Sequence, residues 1–461
     1  MEEYINYGII TLLPPIIVIA FAVVTKRTFE ALILGGIAGY VITTGMGFFT
    51  GYMDAIYGTL TDSGTVWIIL TCGLFGSLIA ILEKSGGAIG FSKFIAKYAN
   101  TPKKTLMASF IMGILIFVDD YLNVLAIGSS MKPLADEQKI PREMMAYVIA
   151  STGASDCTVI PFSTWVVFYA GLFAAIPELA SYGAVGTGMD MYYHMIPTIF
   201  YGWTCLIVVP LVILGIIPMF GPMKKAYERV AKTGMVYSPD SAKYNKNNNS
   251  EIIEGGSLWF FLAPILLLVA ITIYYNDLLY GVIGGIVLSM IMVMSKRKMK
   301  FAEVSDAIFT GFGGMTQMLA IIVAALTIKT SMDQLNLPQY IIEAVLPFMS
   351  PALFPAISFI LVAGLAFITG SNWGIPAVCV PILMPLALAG DANIILTASA
   401  IVSGGVFGSH ACFYSDCTVL TSQATKIEVM EHNMTQIPFA LISAIVAIIL
   451  FLICGIMNLS L

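Results

Sequence analysis

Residues 344–390 read AVLPFMSPALFPAISFILVAGLAFITGSNWGIPAVCVPILMPLALAG, and from Ala344 to Gly390 there is no Asp, Glu, Lys, Arg or His. One helical crossing of a bilayer takes about 20 apolar residues. This stretch is far longer, so the chain crosses or re-enters a membrane at least twice within it. Gly8–Val24, Ala31–Gly51, Ser63–Leu82, Ser257–Tyr275, Leu278–Ser295 and Ile437–Leu461 are further uncharged windows near the length of one crossing. The whole chain is 58% hydrophobic and 11% charged, against about 25% charged in soluble domains. The expected fold class is an all-α polytopic membrane protein with about ten to twelve embedded segments.

The longest polar stretch, Lys224–Gly256, divides the chain into a first transmembrane repeat (1–223), a linker (224–256) and a second repeat (257–461). Basic residues set the orientation, because Lys and Arg favour the cytoplasmic side. Lys26-Arg27 follows the first apolar run, the linker is basic, and Lys296-Arg297-Lys298 with Lys300 follows the second apolar run of the second half. The first half therefore starts outside and the second inside, with both termini extracytoplasmic and the linker cytoplasmic. That is an inverted-topology repeat, and inverted repeats with broken helices are an architecture common in secondary transporters. Each half also carries the same pentapeptide, Ser155-Asp156-Cys157-Thr158-Val159 and Ser415-Asp416-Cys417-Thr418-Val419.

Carboxylates in apolar segments cost roughly 2.5–3.5 kcal/mol at a helix centre and face a water-filled path or a bound ion. Asp156 with Ser155 and Thr158, and Asp416 with Ser415 and Thr418, offer hard oxygens for Na+, completed by backbone carbonyls at a helix break. The competing reading is a polar helix–helix contact. Asp119, Asp120 and Asn123 are assigned to a proton or a second cation; an N-cap for the following helix is the other reading. His410 either titrates or stays neutral. Ser371 and Asn372, with a turn at Ser403-Gly404-Gly405, offer backbone N–H groups to an organic carboxylate or amino acid. Trp165, Trp373 and Tyr414 flank such a substrate or simply pack, and Lys132 and Arg142 read as loop charges around a Pro133 turn.

The seven cysteines read as small apolar residues, and no cofactor is expected. No cleavable leader is apparent at the acidic start Met1-Glu2-Glu3. No basic surface suggests nucleic acid, and no HExxH or GxSxG motif suggests an enzyme.

Several of these runs resemble the NhaC family of sodium/proton antiporters. They include Leu12-Leu13-Pro14-Pro15, Ser85-Gly86-Gly87-Ala88, Phe117–Asn123, Gly128–Leu134 and Arg142-Glu143. Ile160–Trp165, Val406–His410, Ser415–Thr418 and Thr435–Ala440 carry the same likeness, which spans nearly the whole chain. The resemblance implies two inverted-topology repeats, each with a re-entrant hairpin and an unwound helix, meeting at a central site. Asp119–Asn123 and Ser371–Asn372 would form one pair of breaks and the two Ser-Asp-Cys-Thr runs the other. It also implies a homodimer in the cell membrane with an elevator-like moving domain, and partners Na+, H+ and an organic carboxylate or amino acid. The implied activity is Na+/H+ antiport, or sodium-coupled carriage of an amino or organic acid such as malate/lactate exchange. Ala150 and Ser409 stand where cation-antiporter members of that family tend to carry Asp, which leaves room for the organic substrate.

Overall fold

The computed structural model describes residues 7–25, 27–87, 90, 94, 99–177, 179, 188–245, 257–275, 277–337, 340, 343, 347, 349–369, 373–413 and 415–457. The side chains of a few helical residues, Asp416 among them, are outside the description, as are Ser371, Asn372 and Tyr414. Among the described residues the chain is helical throughout, with no strand. Six helices are long and apolar enough to cross a membrane, or eight if each of two bent pairs counts as one span. These are the broken spans expected of a multi-pass membrane protein.

The first half runs through α1 (Leu13–Thr25), α2 (Thr28–Thr44), α3 (Phe48–Thr61), α4 (Ser63–Lys84), α5 (Pro102–Leu115), α6 (Asp120–Glu137), α7 (Arg142–Val159), α8 (Thr164–Ala174), α9 (Gly188–Met195) and α10 (Phe200–Leu214). The linker contributes α11 (Gly221–Thr233). After it come α12 (Trp259–Tyr275), α13 (Leu278–Ser295), α14 (Phe301–Gly314), α15 (Thr316–Gln334), α16 (Phe354–Thr369), α17 (Gly374–Ala389), α18 (Ile394–Ala411), α19 (Asp416–Thr425) and α20 (Val429–Met457). In chain order, α1–α8 have lengths similar to those of α12–α19.

The halves interlock reciprocally. α2 packs on α15 while its counterpart α13 packs on α4, and α3 packs on α15 while α14 packs on α4. Small residues let these helices approach closely, as in membranes generally. A methyl at Gly76 would lie 2.4 Å from the Gly311 carbonyl oxygen, and one at Gly39 would lie 1.7 Å from Ser331 Oγ. Helices α5–α11 and α16–α20 form a second cluster in which α7 contacts α6, α10, α18 and α19, and α16 lies along α18.

Two sequence expectations change here. Ser403-Gly404-Gly405 is not a turn but the middle of continuous α18, so its backbone groups serve the helix. Gly404 and Gly408 instead allow α18 to touch Val362 and Ala366 of α16. Likewise Pro133 lies inside α6. Arg142 is a buried ion-pair residue rather than a loop charge, bonded through Nε and Nη2 to both carboxylate oxygens of Asp136 at 2.9 and 2.8 Å.

The described part of the linker, residues 224–245, is folded. α11 buries Met223, Ala226 and Val230 on one face, the spacing of an amphipathic helix. Its Arg229 grips buried Glu143 of α7 with both carboxylate oxygens at 2.6 and 3.0 Å, and reaches Glu431 of α20 at 3.4 Å. Ser238 and Ser241 also donate to Glu431, and Asn245 bridges Arg142 and the Lys426 carbonyl. One polar strap thus ties α7 of the first half to α20 of the second.

Candidate ion site

The site grows from the interruption between α5 and α6. α5 stops at Leu115, and the next helix starts at Asp120, leaving Ile116–Asp119 extended or irregular. Asp119 is the N-cap. Its Oδ1 accepts from the N–H groups of Tyr121 and Leu122 at 3.0 and 3.1 Å, and its Oδ2 accepts from Thr164 Oγ1 at 3.1 Å. The capping alternative in the sequence therefore describes Asp119: its oxygens are taken, one by the helix start and one by α8.

Asn123 stands one turn further on and closes the gap. Its Nδ2 donates to the freed carbonyls of Gly113 at 2.8 Å and Ile116 at 3.4 Å, and to Asp156 Oδ2 at 3.0 Å. These acceptors fix which end of the carboxamide is nitrogen. Its Oδ1 is then turned to the interior with no hydrogen-bond partner.

Asp156 reaches this point from the last turn of α7. It is fully buried, its Oδ2 takes the Asn123 bond, and its Oδ1 has no hydrogen-bond partner. No Lys or Arg pairs with it among the described residues. Gly153 brings the helices together: a methyl there would lie 3.5 Å from the Asp120 carbonyl oxygen and 3.6 Å from Asn123 Oδ1. Asp120, also fully buried, occupies the first turn of α6 beside it. Ser155 is buried next to Asp156. Thr158 donates to the Ser155 carbonyl at 2.8 Å, and its own carbonyl accepts from Tyr192.

The two pentapeptides do not occupy equivalent places. α7 ends at Val159, and α8 begins after Ser163, whose hydroxyl caps the Val166 N–H at 3.2 Å and donates back to the Cys157 carbonyl. The pair α7 and α8 bends by 44° there. In the second half α18 ends at Ala411, and Ser415 plays the part of Ser163: it caps the Thr418 N–H at 3.3 Å and donates to the Ser409 carbonyl at 2.6 Å. Asp156 thus precedes its break, whereas Asp416 follows its own. Ser415 Oγ also meets Thr418 Oγ1 at 2.9 Å, so both second-half hydroxyls are engaged in the cap. α19 packs on α6 and α7.

The other assigned residues lie around this core. His410 has both ring nitrogens bonded, Nε2 with Ser151 Oγ at 2.9 Å and Nδ1 with Tyr201 OH at 2.7 Å. It is a buried link between α18 and the first-half helices α7 and α10. Ser403 Oγ accepts from the Tyr201 N–H at 3.4 Å, and Gly405 lies against Tyr169 OH. Trp165 of α8 and Trp373 before α17 pack ring to ring at 4.8 Å, which joins the second break of one half to the first break of the other. Sequence reasoning missed Asp62, Asp277, Trp67 and Lys329. They line a cavity of about 810 Å3 between α4, α8 and the second-half helices α13 and α15. Trp67 Nε1 donates to Asp277 Oδ1 at 3.0 Å and Lys329 pairs with Asp333 at 2.6 Å.

Broken apolar helices around the buried carboxylate of Asp156, which no Lys or Arg pairs among the described residues, define a multi-pass membrane transporter. The sequence pattern of the Na+/H+ antiporter family matches residues 156–456, and the chain belongs to that family. An uncharacterized protein of Haemophilus influenzae is 25% identical over 486 residues, covering 96% of this chain and 90% of its own length. The malate-2H(+)/Na(+)-lactate antiporter of Bacillus subtilis is 28% identical over 112 residues, 24% of each chain. Among solved structures, the YdaH transporter of Alcanivorax borkumensis, described as having an unusual topology, superposes with a TM-score of 0.65 at 10% identity over 90% of both chains. That likeness is one of fold.

Proposed function

We propose that the protein exchanges Na+ for H+ across the cell membrane, with Asp156 as the group that carries either ion. The observation that carries this reading is the carboxylate of Asp156: fully buried, held at one oxygen by Asn123 and unpaired at the other. An ionised carboxylate in such a place is too costly to stand alone. A proton on Oδ1 removes the charge. A Na+ beside Oδ1, with Asn123 Oδ1 and Ser155 within the same pocket, offsets it. One oxygen holds one or the other, so binding of Na+ releases H+, and the competition itself gives exchange when the site faces each side in turn.

Asp120 adds a second carboxylate to the pocket, while Asp119 sets the helix start and holds α8. In this reading Asp416, Thr418 and Ser415 form a second ion contact at the other break, and Ser371 and Asn372 complete the site from the second half. The halves are oppositely oriented, with the linker cytoplasmic and both termini outside, and the chain works as a homodimer. The test is Na+-driven proton movement in proteoliposomes containing a pH dye. Exchange in wild type and none in Asp156→Asn supports the reading; exchange that survives Asp156→Asn removes Asp156 from it.

A second reading is sodium-coupled carriage of an organic acid, favoured by the partial match to the malate-2H(+)/Na(+)-lactate antiporter. In the same vesicles it requires that Na+ flux stay near zero until malate, lactate or an amino acid is supplied.

A further inference from the structure

α20 carries a group of buried polar side chains that the proposed exchange site does not use. His432 is fully buried, and neither ring nitrogen has a hydrogen-bond partner. Asn433 donates from Nδ2 to the Cys412 carbonyl at 2.7 Å, and Gln436 donates from Nε2 to the His410 carbonyl. Both side chains are fully buried, and their oxygens, Asn433 Oδ1 and Gln436 Oε1, have no partner. The carbonyl acceptors leave no freedom to flip either amide. At about 100° per residue, the three side chains fall within roughly one 100° arc of the helix, facing the broken end of α18.

An unpaired buried polar atom costs about 1–3 kcal/mol, and native structures hold few of them. Several on one arc call for an occupant. Two carboxamide oxygens and a neutral imidazole form a mostly accepting, uncharged set. No group of three His, Cys, Asp or Glu able to hold a metal occurs among the described residues, so a transition metal is a poor match for this set. Hard neutral oxygens suit a small alkali cation.

We propose that the face of α20 formed by His432, Asn433 and Gln436 binds a sodium ion of its own behind the Cys412–Ser415 break, separate from the ion at Asp156. Asn433 Oδ1 and Gln436 Oε1 are its ligands, and His432 bonds a water in its shell. The proposal goes beyond the exchange reading, because it assigns a neutral site that contains no carboxylate. It also makes the amides bifunctional: the nitrogens cap the end of α18 and the oxygens hold the ion, so occupancy stiffens the break.

The experiment is equilibrium binding of radioactive 22Na+ to the purified full-length protein in detergent at alkaline pH. Wild type should bind one ion more than the double variant Asn433→Leu/Gln436→Met, and one more than Asp156→Asn. Equal binding by wild type and the double variant overturns the proposal and leaves the Asp156 reading standing. Loss in the double variant with none in Asp156→Asn upholds it while refuting the exchange site. Should the double variant fail to elute as wild type does, His432→Leu decides the matter, because it removes only unpaired atoms. It should elute normally and weaken one class of Na+ binding by about tenfold, a difference of about 1.4 kcal/mol; unchanged affinity overturns the proposal.

Discussion

Replacing Arg229 by alanine tests how much the folded linker contributes to holding the two halves together. Arg229 makes two bonds to Glu143 at 2.6 and 3.0 Å, one to Glu431 at 3.4 Å, and two to the carbonyls of Met235 and Val236, both at 3.1 Å. The Glu143 side chain is 1% exposed and that of Arg229 is 18% exposed. Removing one partner of a buried pair leaves the other charge stranded and costs about 3–5 kcal/mol. Each 1.4 kcal/mol is about tenfold in the folding equilibrium, so the loss is expected to be at least a hundredfold. The assay is unfolding of detergent-purified protein in denaturant, followed by tryptophan fluorescence. Replacing Glu143 as well removes the buried charge that Arg229→Ala strands, and Glu431 keeps its Ser238 and Ser241 donors, so Arg229→Met/Glu143→Leu should recover most of the loss. A cost under about 1 kcal/mol for Arg229→Ala, or a double variant no better than the single, would refute the claim that this pair is a buried tie.

Other outcomes follow from the same contacts. Asn123→Leu strips the donor from the Gly113 and Ile116 carbonyls and from Asp156; it should weaken Na+ affinity by about tenfold or more and destabilise by about 1–3 kcal/mol, and wild-type values in Na+ titration and denaturation would contradict this. Gly113→Ala places a methyl 2.3 Å from Thr152 Oγ1; a loss of about 1–3 kcal/mol, relieved by Thr152→Gly, is expected in the same unfolding assay. Lys243 and Glu428 pair at 2.6 Å in an exposed position. The lysine holds the Glu428 carboxyl below its ordinary value of 4.5, and Glu428 raises Lys243 above 10.5. The stabilisation is therefore present above the ordinary glutamate pKa and below the ordinary lysine pKa. It is lost as pH falls through the lowered value or rises through the raised one. The effect should be small and erased by high salt, and a salt-resistant difference between wild type and Lys243→Met would count against it.

The membrane class was legible from one feature, the uncharged run Ala344–Gly390, because lipid excludes charge whatever the tertiary fold. The break at Asp119 and the burial of Asp156 were legible for the same reason. The register of the repeat was not. The identical pentapeptides suggest equivalence, but the chain places its breaks by the capping serines, Ser163 and Ser415, each bonded to the carbonyl six residues earlier. Glycine misled at Ser403-Gly404-Gly405, where it marks close helix packing rather than a turn. Arg142 looked like a loop charge because its partners, Asp136 and the linker's Asn245, become neighbours only in the fold. A signal for the α20 face was present: His432, Asn433 and Gln436 are polar residues at helical spacing where the last apolar span begins. Their missing bonds emerge only when the end of α18 is in place.

Proton release on Na+ binding at Asp156 is the most direct test of the account. Adding NaCl to the purified, weakly buffered protein should release protons from wild type and none from Asp156→Asn, with both proteins eluting alike. Equal release from the two, or none from wild type at saturating Na+, would contradict the claim that one buried carboxylate oxygen is shared between the two ions.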